Sequence, residues 1–305
     1  MTGRVVVIGD ALIDEIRDEA GVREFVGGAG LNVAVGLSRL GVPASLIAMV
    51  GDDDAGEQIR AFLDEHDVDL LVSPAEHGSS RAVSTRSPQG EPVYVFNEAA
   101  QNRRVAYGDA ERAAIADAPM VVVSCFPFDD EQQTDLLIEA TASASTPLAI
   151  DPNPRSGMLR DRAAFVRGFK KAASGALLVK VGEDDAQLLY GTPLDELRAK
   201  LVGLGVGAVL ATYGAGGAAI DAGETTVSRG ISDLPGRIVD TMGGGDAVLA
   251  TTAALVRDRL PVDAEEWDAV LSRAMDVAAA TCRHEGALLR TPEWERRWFR
   301  ASLGG

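Results

Sequence analysis

Cysteine is scarce, with only Cys125 and Cys282 in 305 residues. Two cysteines build neither a disulfide framework nor a zinc site, so a reducing, cytoplasmic setting is expected. Histidine is equally thin. His66, His77 and His284 are scattered, and each reads as a surface or loop residue and not as a ligand. Positive charge is in deficit: 29 Lys and Arg stand against 46 Asp and Glu, a net charge of -17. Such a surface repels nucleic acid and anionic membrane, so neither is expected as a partner. It also repels anionic substrates at long range, so any bound phosphate must be held by local backbone amides, a metal ion or a few placed arginines. No apolar run reaches the roughly 18 residues of a membrane span, and no signal-peptide pattern opens the chain. No lysine follows a glycine, which excludes the P-loop GxxxxGK[ST]. HExxH, EF-hand and GxSxG patterns are missing too. Gly214-Ala-Gly216-Gly-Ala-Ala219 fits a loose GxGxxA form, but it leads into a short β-like piece, which argues against a dinucleotide fold.

What is present is 46% hydrophobic and 25% charged residues, ordinary for a globular protein with a substantial core. One stretch stands out: Asp240-Thr241-Met242-Gly243-Gly244-Gly245-Asp246, followed by an apolar run through Val256. The run has helix length and little polarity, so a buried helix is expected to open at the glycines. Glycine leaves the first-turn N–H groups bare, and bare N–H groups at a helix start attract anions. An aspartate there is suited to take a proton from a hydroxyl that attacks a bound phosphate. It is also a favourable acidic residue in any helix's first turn. Local chemistry alone leaves both readings open.

Along the chain, Arg4–Ile8 is a buried strand ending at Gly9-Asp10. Ala11–Phe25 alternates apolar and charged residues and turns near Glu19–Gly21, which predicts a half-exposed hairpin. Helix Leu31–Leu40, strand Ala44–Val50, helix Asp54–His66 and strand Asp69–Val72 follow. A second polar hairpin, Arg81–Arg86 with Glu91–Asn97, turns at Ser87–Gly90. Regular alternation then resumes: helix Asp109–Asp117, strand Met120–Ser124, helix Asp129–Ser143, strand Leu148–Asp151, helix Asp161–Ala173, strand Ala176–Lys180. Helices Glu183–Tyr190 and Leu194–Leu204 precede strand Gly207–Thr212. Short β-like pieces are expected at Gly217–Ile220, Thr225–Ser228 and Arg237–Val239, then helices at about 244–258 and 264–283 and a helical tail at 292–300. This alternation predicts a mostly parallel sheet covered by helices on both faces, with ligands beyond the carboxyl ends of its strands. The two hairpins, about 11–26 and 80–100, break the alternation and are expected to pair into a small sheet overhanging that edge as a lid.

Two glycine segments, taken together, carry a family resemblance. Gly27-Gly28-Ala29-Gly30-Leu31-Asn32-Val33-Ala34, with Leu40-Gly41 and Val50-Gly51-Asp52-Asp53-Asp54-Ala55-Gly56, resembles the N-terminal signature of the PfkB (ribokinase-like) carbohydrate kinases. Asp240–Asp246 resembles their C-terminal signature, usually Asp-Thr-x-Gly-Ala-Gly-Asp. Gly9-Asp-Ala-Leu-Ile-Asp14, Asp151-Pro-Asn-Pro-Arg155 and Thr212-Tyr-Gly-Ala-Gly-Gly217 extend the likeness over essentially the whole chain and give it a fructokinase-like flavour. The resemblance implies a single three-layer α/β/α kinase domain over 1–305 with a small β lid. It implies cytoplasmic, ATP- and magnesium-dependent phosphorylation of a primary hydroxyl on a small sugar. Asp246 matches the base, and Gly243, Gly244 and Gly245 match the anion hole. Arg155 reaches for the transferring phosphate. Asp14, Gly27, Gly28 and Asn32 match the sugar site, and Asn97 is placed with them. Thr212, Gly214 and Gly217 match the nucleotide segment, with Lys180 and Asp185 beside it. Asp185 is expected at magnesium through water, and an activating potassium ion near Asp240. A homodimer through the lid is expected from the same likeness.

The chain also departs from the pattern. The family's Asn-x-x-Glu segment aligns with Gly182-Glu-Asp-Asp185, so the asparagine is lost and the glutamate shortened. Thr-Arg-x-Gly-Ala near the C-terminus becomes Cys282-Arg-His-Glu-Gly-Ala287, so adenine contacts there do not carry over. Alternatives within the class are a 2-keto-3-deoxygluconate kinase, a nucleoside kinase using Phe25, Tyr94 and Phe96, or a phosphosugar kinase using Arg81, Arg86, Arg103 and Arg104. Outside the class, the alternative is a sugar- or nucleotide-binding regulator that has lost catalysis.

Overall fold

The computed structural model describes residues 3–18, 21–86 and 92–292. The chain opens with β1 (Val5–Gly9), β2 (Leu12–Asp18), β3 (Gly21–Gly27), α1 (Ala29–Arg39), β4 (Ala44–Met49), α2 (Asp54–Glu65) and β5 (Val68–Ser73). Next come β6 (Ser80–Arg86), β7 (Pro92–Phe96), α3 (Glu98–Gln101), α4 (Asp109–Asp117), β8 (Val121–Ser124), α5 (Glu131–Ala144) and β9 (Leu148–Asp151). Then follow α6 (Arg162–Ala173), β10 (Leu178–Gly182), α7 (Glu183–Tyr190), α8 (Leu194–Gly203), β11 (Ala208–Thr212), β12 (Ala218–Ala222) and β13 (Thr225–Arg229). Helices α9 (Gly244–Val256) and α10 (Ala264–Thr281) complete the described elements. Asp53, Asp130, Asp161 and Asp263 each cap a helix by accepting a first-turn N–H.

Nine strands form the large sheet in the order β13-β12-β11-β10-β9-β8-β1-β4-β5. All pairs from β11 to β5 are parallel, and β12 and β13 add an antiparallel margin. The strands read as unbroken apolar runs because both faces are buried. Val5 and Val7 point into the layer of α1, α9 and α10, while Val6 and Ile8 point into the opposite layer of α5 and α6. In that second layer Phe128 stacks at 5.1 Å on Phe126, 5.5 Å on Phe165 and 5.8 Å on Phe169, tying the loop after β8 to α6. Burying each ring contributes roughly 1.5–3 kcal/mol. The chain runs outward from β1 in both directions, to β4 on one side and β8 on the other. That reversal opens a crevice beyond the carboxyl ends of β1 and β8.

The two polar hairpins pair as expected, into a four-stranded sheet β3-β2-β6-β7 with β2 and β6 parallel at its centre. Register puts Asp14, Phe25, Ala82 and Phe96 side by side on one face. The other face carries Glu15, Glu24 and Arg81, with Arg81 2.6 Å from Glu24 and 3.8 Å from Glu15.

Arg237–Val239 is not a strand. It passes the end of α10, where Val239 and Asp240 donate their N–H groups to Cys282 O. Gly214–Gly216 forms one 3-10 turn before β12. Short α3 was not legible as a helix because four residues show no period. The Ser87–Gly90 turn, the bend at Glu19 and the tail beyond 292 lie outside the described residues.

Candidate active site

The site begins where β1 meets the start of α1. A Cβ on Gly9 would lie 2.3 Å from Ser124 O, and one on Gly30 would lie 2.8 Å from the Gly9 Cα. Only glycines allow this backbone contact. Asp10 locks it: Oδ1 accepts from Gly30 N at 3.0 Å, and its carbonyl accepts from Leu31 N at 3.0 Å. Gly28 has φ +113. Asp14 lies across Gly27, where a Cβ would meet Asp14 Oδ2 at 2.5 Å. Burial, reinforced by Asp10 and opposed by Arg155, pushes the Asp14 carboxyl up to about 6.

The second half is the start of α9. Gly243 caps it at φ +75, and Gly244, Gly245 and Asp246 form its first turn. Of the glycine N–H groups there, that of Gly244 donates to Thr241 O at 3.3 Å, while that of Gly245, in the first turn, has no acceptor within the helix. Asp246 is half-buried, and its Oδ2 accepts from Asn32 Nδ2 at 2.9 Å. This bond joins the two halves across 214 residues of sequence. Desolvation raises Asp246 to about 6; Asp151 adds to the rise, while the Asn32 bond, Lys180 and Arg155 oppose it. A carboxylate so tuned is a stronger base than a free one yet is ionised at neutral pH. Asn32 Oδ1 is buried and has no partner among the described residues, an acceptor left over for a ligand hydroxyl.

Both halves open into one cleft of about 720 Å³. Asp14, Gly28 and Asn32 line it together with Gly243, Asp246 and Arg155, and the small sheet contributes Ala82, Tyr94 and Phe96. Desolvation works against the Arg155 charge, but Cys125, Asp246, Asp10 and Asp151 outweigh it and hold the guanidinium above its usual pKa. Arg162, Asp184 and Gln187 line the cleft as well. No sequence motif singles them out; the only signal is their place in helix starts after the carboxyl ends of β9 and β10.

The remaining expected residues fall elsewhere. Asn97 does not line the cleft. Its amide caps α3, accepts from Arg81 N and Ala100 N at 3.0 Å each, and donates to Ser79 O at 3.0 Å, so both Oδ1 acceptor directions and one Nδ2 hydrogen are engaged by backbone. Thr212 ends β11 opposite Gly182. Gly217, at φ +94 with a would-be Cβ 2.0 Å from Arg229 O, shapes the turn that Gly214 opens. Lys180 is buried behind α9. Asp185 turns back to cap its own helix, Oδ2 accepting from Gly182 N at 2.6 Å. Burial raises it to about 6 against the pull of Lys180. Asp240 clasps two loops, accepting from Met242 N at 2.9 Å and Gly286 N at 3.1 Å. The arginines flanking the second hairpin are engaged elsewhere: Arg81 with Glu24, Arg103 with Cys125 O and Ala100 O, Arg104 with Asp130. The Arg86 side chain lies outside the described residues.

Comparisons with known proteins bear on the fold. The family model described as pfkB family carbohydrate kinase matches residues 2–294. The chain is 27% identical to an ATP-dependent 6-phosphofructokinase of Thermoanaerobacterium thermosaccharolyticum over 80% of this chain and 78% of the relative. It is 26% identical to a fructokinase of Salmonella typhimurium over 96% and 97%. Among solved structures, the Salmonella enterica aminoimidazole riboside kinase, complexed with aminoimidazole riboside and an ATP analogue, superposes with a TM-score of 0.78 at 23% identity, covering 97% of this chain and 100% of that one. A Vibrio cholerae fructokinase bound to fructose, ADP and potassium gives 0.77 at 21% identity, covering 94% of each chain. An Escherichia coli putative ribokinase II with ATP and magnesium gives 0.77 at 20% identity, covering 98% and 99%. These likenesses establish the ribokinase-like fold.

Proposed function

The chain belongs to the pfkB family of carbohydrate kinases, which are ATP-dependent phosphotransferases, and on that premise we propose that it phosphorylates a hydroxyl of a small, uncharged sugar of the fructose type. The observation that carries this reading is the Asn32–Asp246 bond, which sets a base with a raised pKa between a hydroxyl-binding wall and a bare helix start. Asp14 and Asn32 Oδ1 accept hydrogen bonds from the sugar, and Gly28 lets it approach the backbone. Asp246 orients the attacking hydroxyl and takes its proton. The N–H groups of Gly243–Gly245 and the Arg155 guanidinium stabilise the charge on the phosphoryl group in flight. Small-sheet residues Tyr94 and Phe96 cover the sugar and keep water, the competing nucleophile, away.

The nucleotide is assigned to the side of α9 facing Thr212, Gly214 and the 230–243 stretch. Ile231, Ile238, Val239 and Met242 stand exposed there, an apolar surface suited to a base. Among the described residues no three acidic, histidine or cysteine side chains gather as a metal cage. This fits a magnesium ion carried on nucleotide phosphates with most of its waters. Asp185 offers Oδ1 to that water shell, since Oδ2 is held by Gly182. A potassium ion is assigned beside Asp240, whose oxygens each accept one N–H and keep a second lone-pair direction.

The engagement of Arg81, Arg103 and Arg104 away from the cleft favours an uncharged acceptor over a phosphosugar. A nucleoside acceptor is the second reading, favoured by the cleft-facing rings of Tyr94 and Phe96. Coupled ADP release is expected with one sugar from a panel that includes fructose, 2-keto-3-deoxygluconate, fructose 6-phosphate and nucleosides. Turnover confined to fructose 6-phosphate would refute the uncharged-sugar reading. The small sheet is also proposed to carry a homodimer, because it exposes Val22, Phe25, Tyr94 and Val95. Light scattering after size exclusion is expected to give twice the 31.9 kDa chain mass, and a Phe25→Arg variant the mass of one chain. A monomeric wild type would refute it.

A further inference from the structure

Lys180 is buried on β10, with its ammonium 2.9 Å from Asp151 Oδ2. Three facts set this pair apart from an ordinary core ion pair. It lies directly behind the anion hole, since a Cβ on Gly245 would stand 3.1 Å from Lys180 Nζ. It is incompletely satisfied, since Asp151 Oδ1 is buried without a partner among the described residues. And its surroundings are acidic: besides Asp151, the carboxylates of Asp185 on α7 and Asp246 on α9 act on the same ammonium. Burying an ion pair costs more desolvation than its attraction returns unless the geometry is complete, and apolar replacements of such pairs are often neutral or stabilising. An ion pair with one oxygen orphaned, kept at the wall of a phosphate site, therefore has a reason other than stability.

Resting on the kinase reading above, we propose that Lys180, held by Asp151, is a positioning cation that acts through the Gly245 peptide on the phosphoryl group in flight, and that residue 245 is glycine so that the ammonium can come this close. Lys180 forms no bond to the substrate and keeps its proton throughout. Burial works against its charge, and Asp151, Asp185 and Asp246 outweigh that burial, holding it above the usual lysine range. The transferring group spreads its charge over three equatorial oxygens, and its transfer is catalysed almost entirely by positioning and electrostatic stabilisation. A fixed cation acts most strongly on charge that develops in a water-poor site. The same cation compensates for the lost asparagine and shortened acid of Gly182–Asp185.

Two variants test this, Lys180→Met alone and Lys180→Met with Asp151→Asn, the second removing the charge of the directly bonded partner as well should the first fold poorly. Titration calorimetry compares Mg-ADP with Mg-ADP plus aluminium fluoride, a mimic of the transferring group that needs no acceptor. The expected result is unchanged Mg-ADP affinity, with analogue affinity and kcat each reduced by about 10²- to 10³-fold, the size of losing one donor from such a hole. Wild-type turnover and analogue binding in the folded double variant would overturn the proposal. So would equal weakening of Mg-ADP and analogue, which is what a purely structural role produces. If wild-type protein phosphorylates no acceptor, the functional reading fails, while the binding comparison still decides the role of Lys180.

Discussion

Replacement of Asp246 by Asn is expected to lower kcat by about 10²- to 10⁴-fold, the usual contribution of a positioned base, while leaving the fold unchanged. The substitution is isosteric, and Asn Oδ1 can still accept from Asn32 Nδ2, so the link between α1 and α9 persists. What disappears is proton affinity at the atom facing the acceptor hydroxyl. The wild-type pH profile follows from the same group. Asp246 must be ionised to act, and its pKa in the folded protein is about 6. As pH falls through that value the base is protonated and kcat/KM declines; above it, activity is full. Asp14, also raised to about 6, titrates in the same range, so the acid limb is expected to be steeper than one proton. Steady-state kinetics against pH, with circular dichroism to check folding, measures both. Undiminished turnover in Asp246→Asn would remove Asp246 from the base role, and a flat profile down to the ordinary aspartate range would contradict its tuning.

Gly243→Ala and Gly244→Ala are expected to behave as opposites although they are neighbours of like sequence. Gly243 sits at φ +75, and its would-be Cβ lies 2.0 Å from Ala287 O. Alanine there forces a left-handed conformation costing about 1–3 kcal/mol and also collides with backbone. The loop must move, and with it the N–H groups of the anion hole. Losing one such donor costs about 10²- to 10³-fold in kcat, so Gly243→Ala is expected to lose activity on that scale and to melt earlier. Gly244 is the first residue of α9, and its would-be Cβ meets only Cys282 Sγ, at 3.2 Å. Alanine restricts the unfolded chain and stabilises by about 0.4–1 kcal/mol where the native conformation suits it; the tight sulfur contact offsets part of this. Gly244→Ala is therefore expected to retain turnover, in keeping with the alanine the signature usually has at that position. Kinetics and thermal melts of the two variants decide the matter, and equal behaviour would show that the hole does not depend on the Gly243 conformation.

The sequence by itself determined the architecture and the centre. Short β-branched runs such as Val5–Ile8 and Val121–Val123 read as strands buried on both faces, and their alternation with helical periods leaves few topologies besides a parallel sheet covered by helices. The polar hairpins betrayed themselves by a period of two with one face charged. Asp246 and Gly243–Gly245 stood out in the sequence as a glycine-rich helix start, which by itself also fits an ordinary acidic first turn; the resemblance to the two PfkB signatures is what gave them, with Gly28 and Asn32, their expected roles. Tertiary structure alone decided which polar groups are spent and which are free. Asn97 is expected at the sugar, and the fold binds its amide to three backbone groups. Arg81, Arg103 and Arg104 are near one another in sequence, but it is the fold that pairs them with Glu24, with Cys125 O and Ala100 O, and with Asp130. Lys180 is expected beside the nucleotide segment, and the fold adds what the sequence does not show, its bond to Asp151 and its place behind Gly245. The reason is physical: backbone periodicity and glycine's freedom are local properties, written in neighbouring residues. The charge, burial and hydrogen bonding of a side chain are set by partners distant in sequence. For Asn32 and Asp246 that distance is 214 residues, and only the fold closes it.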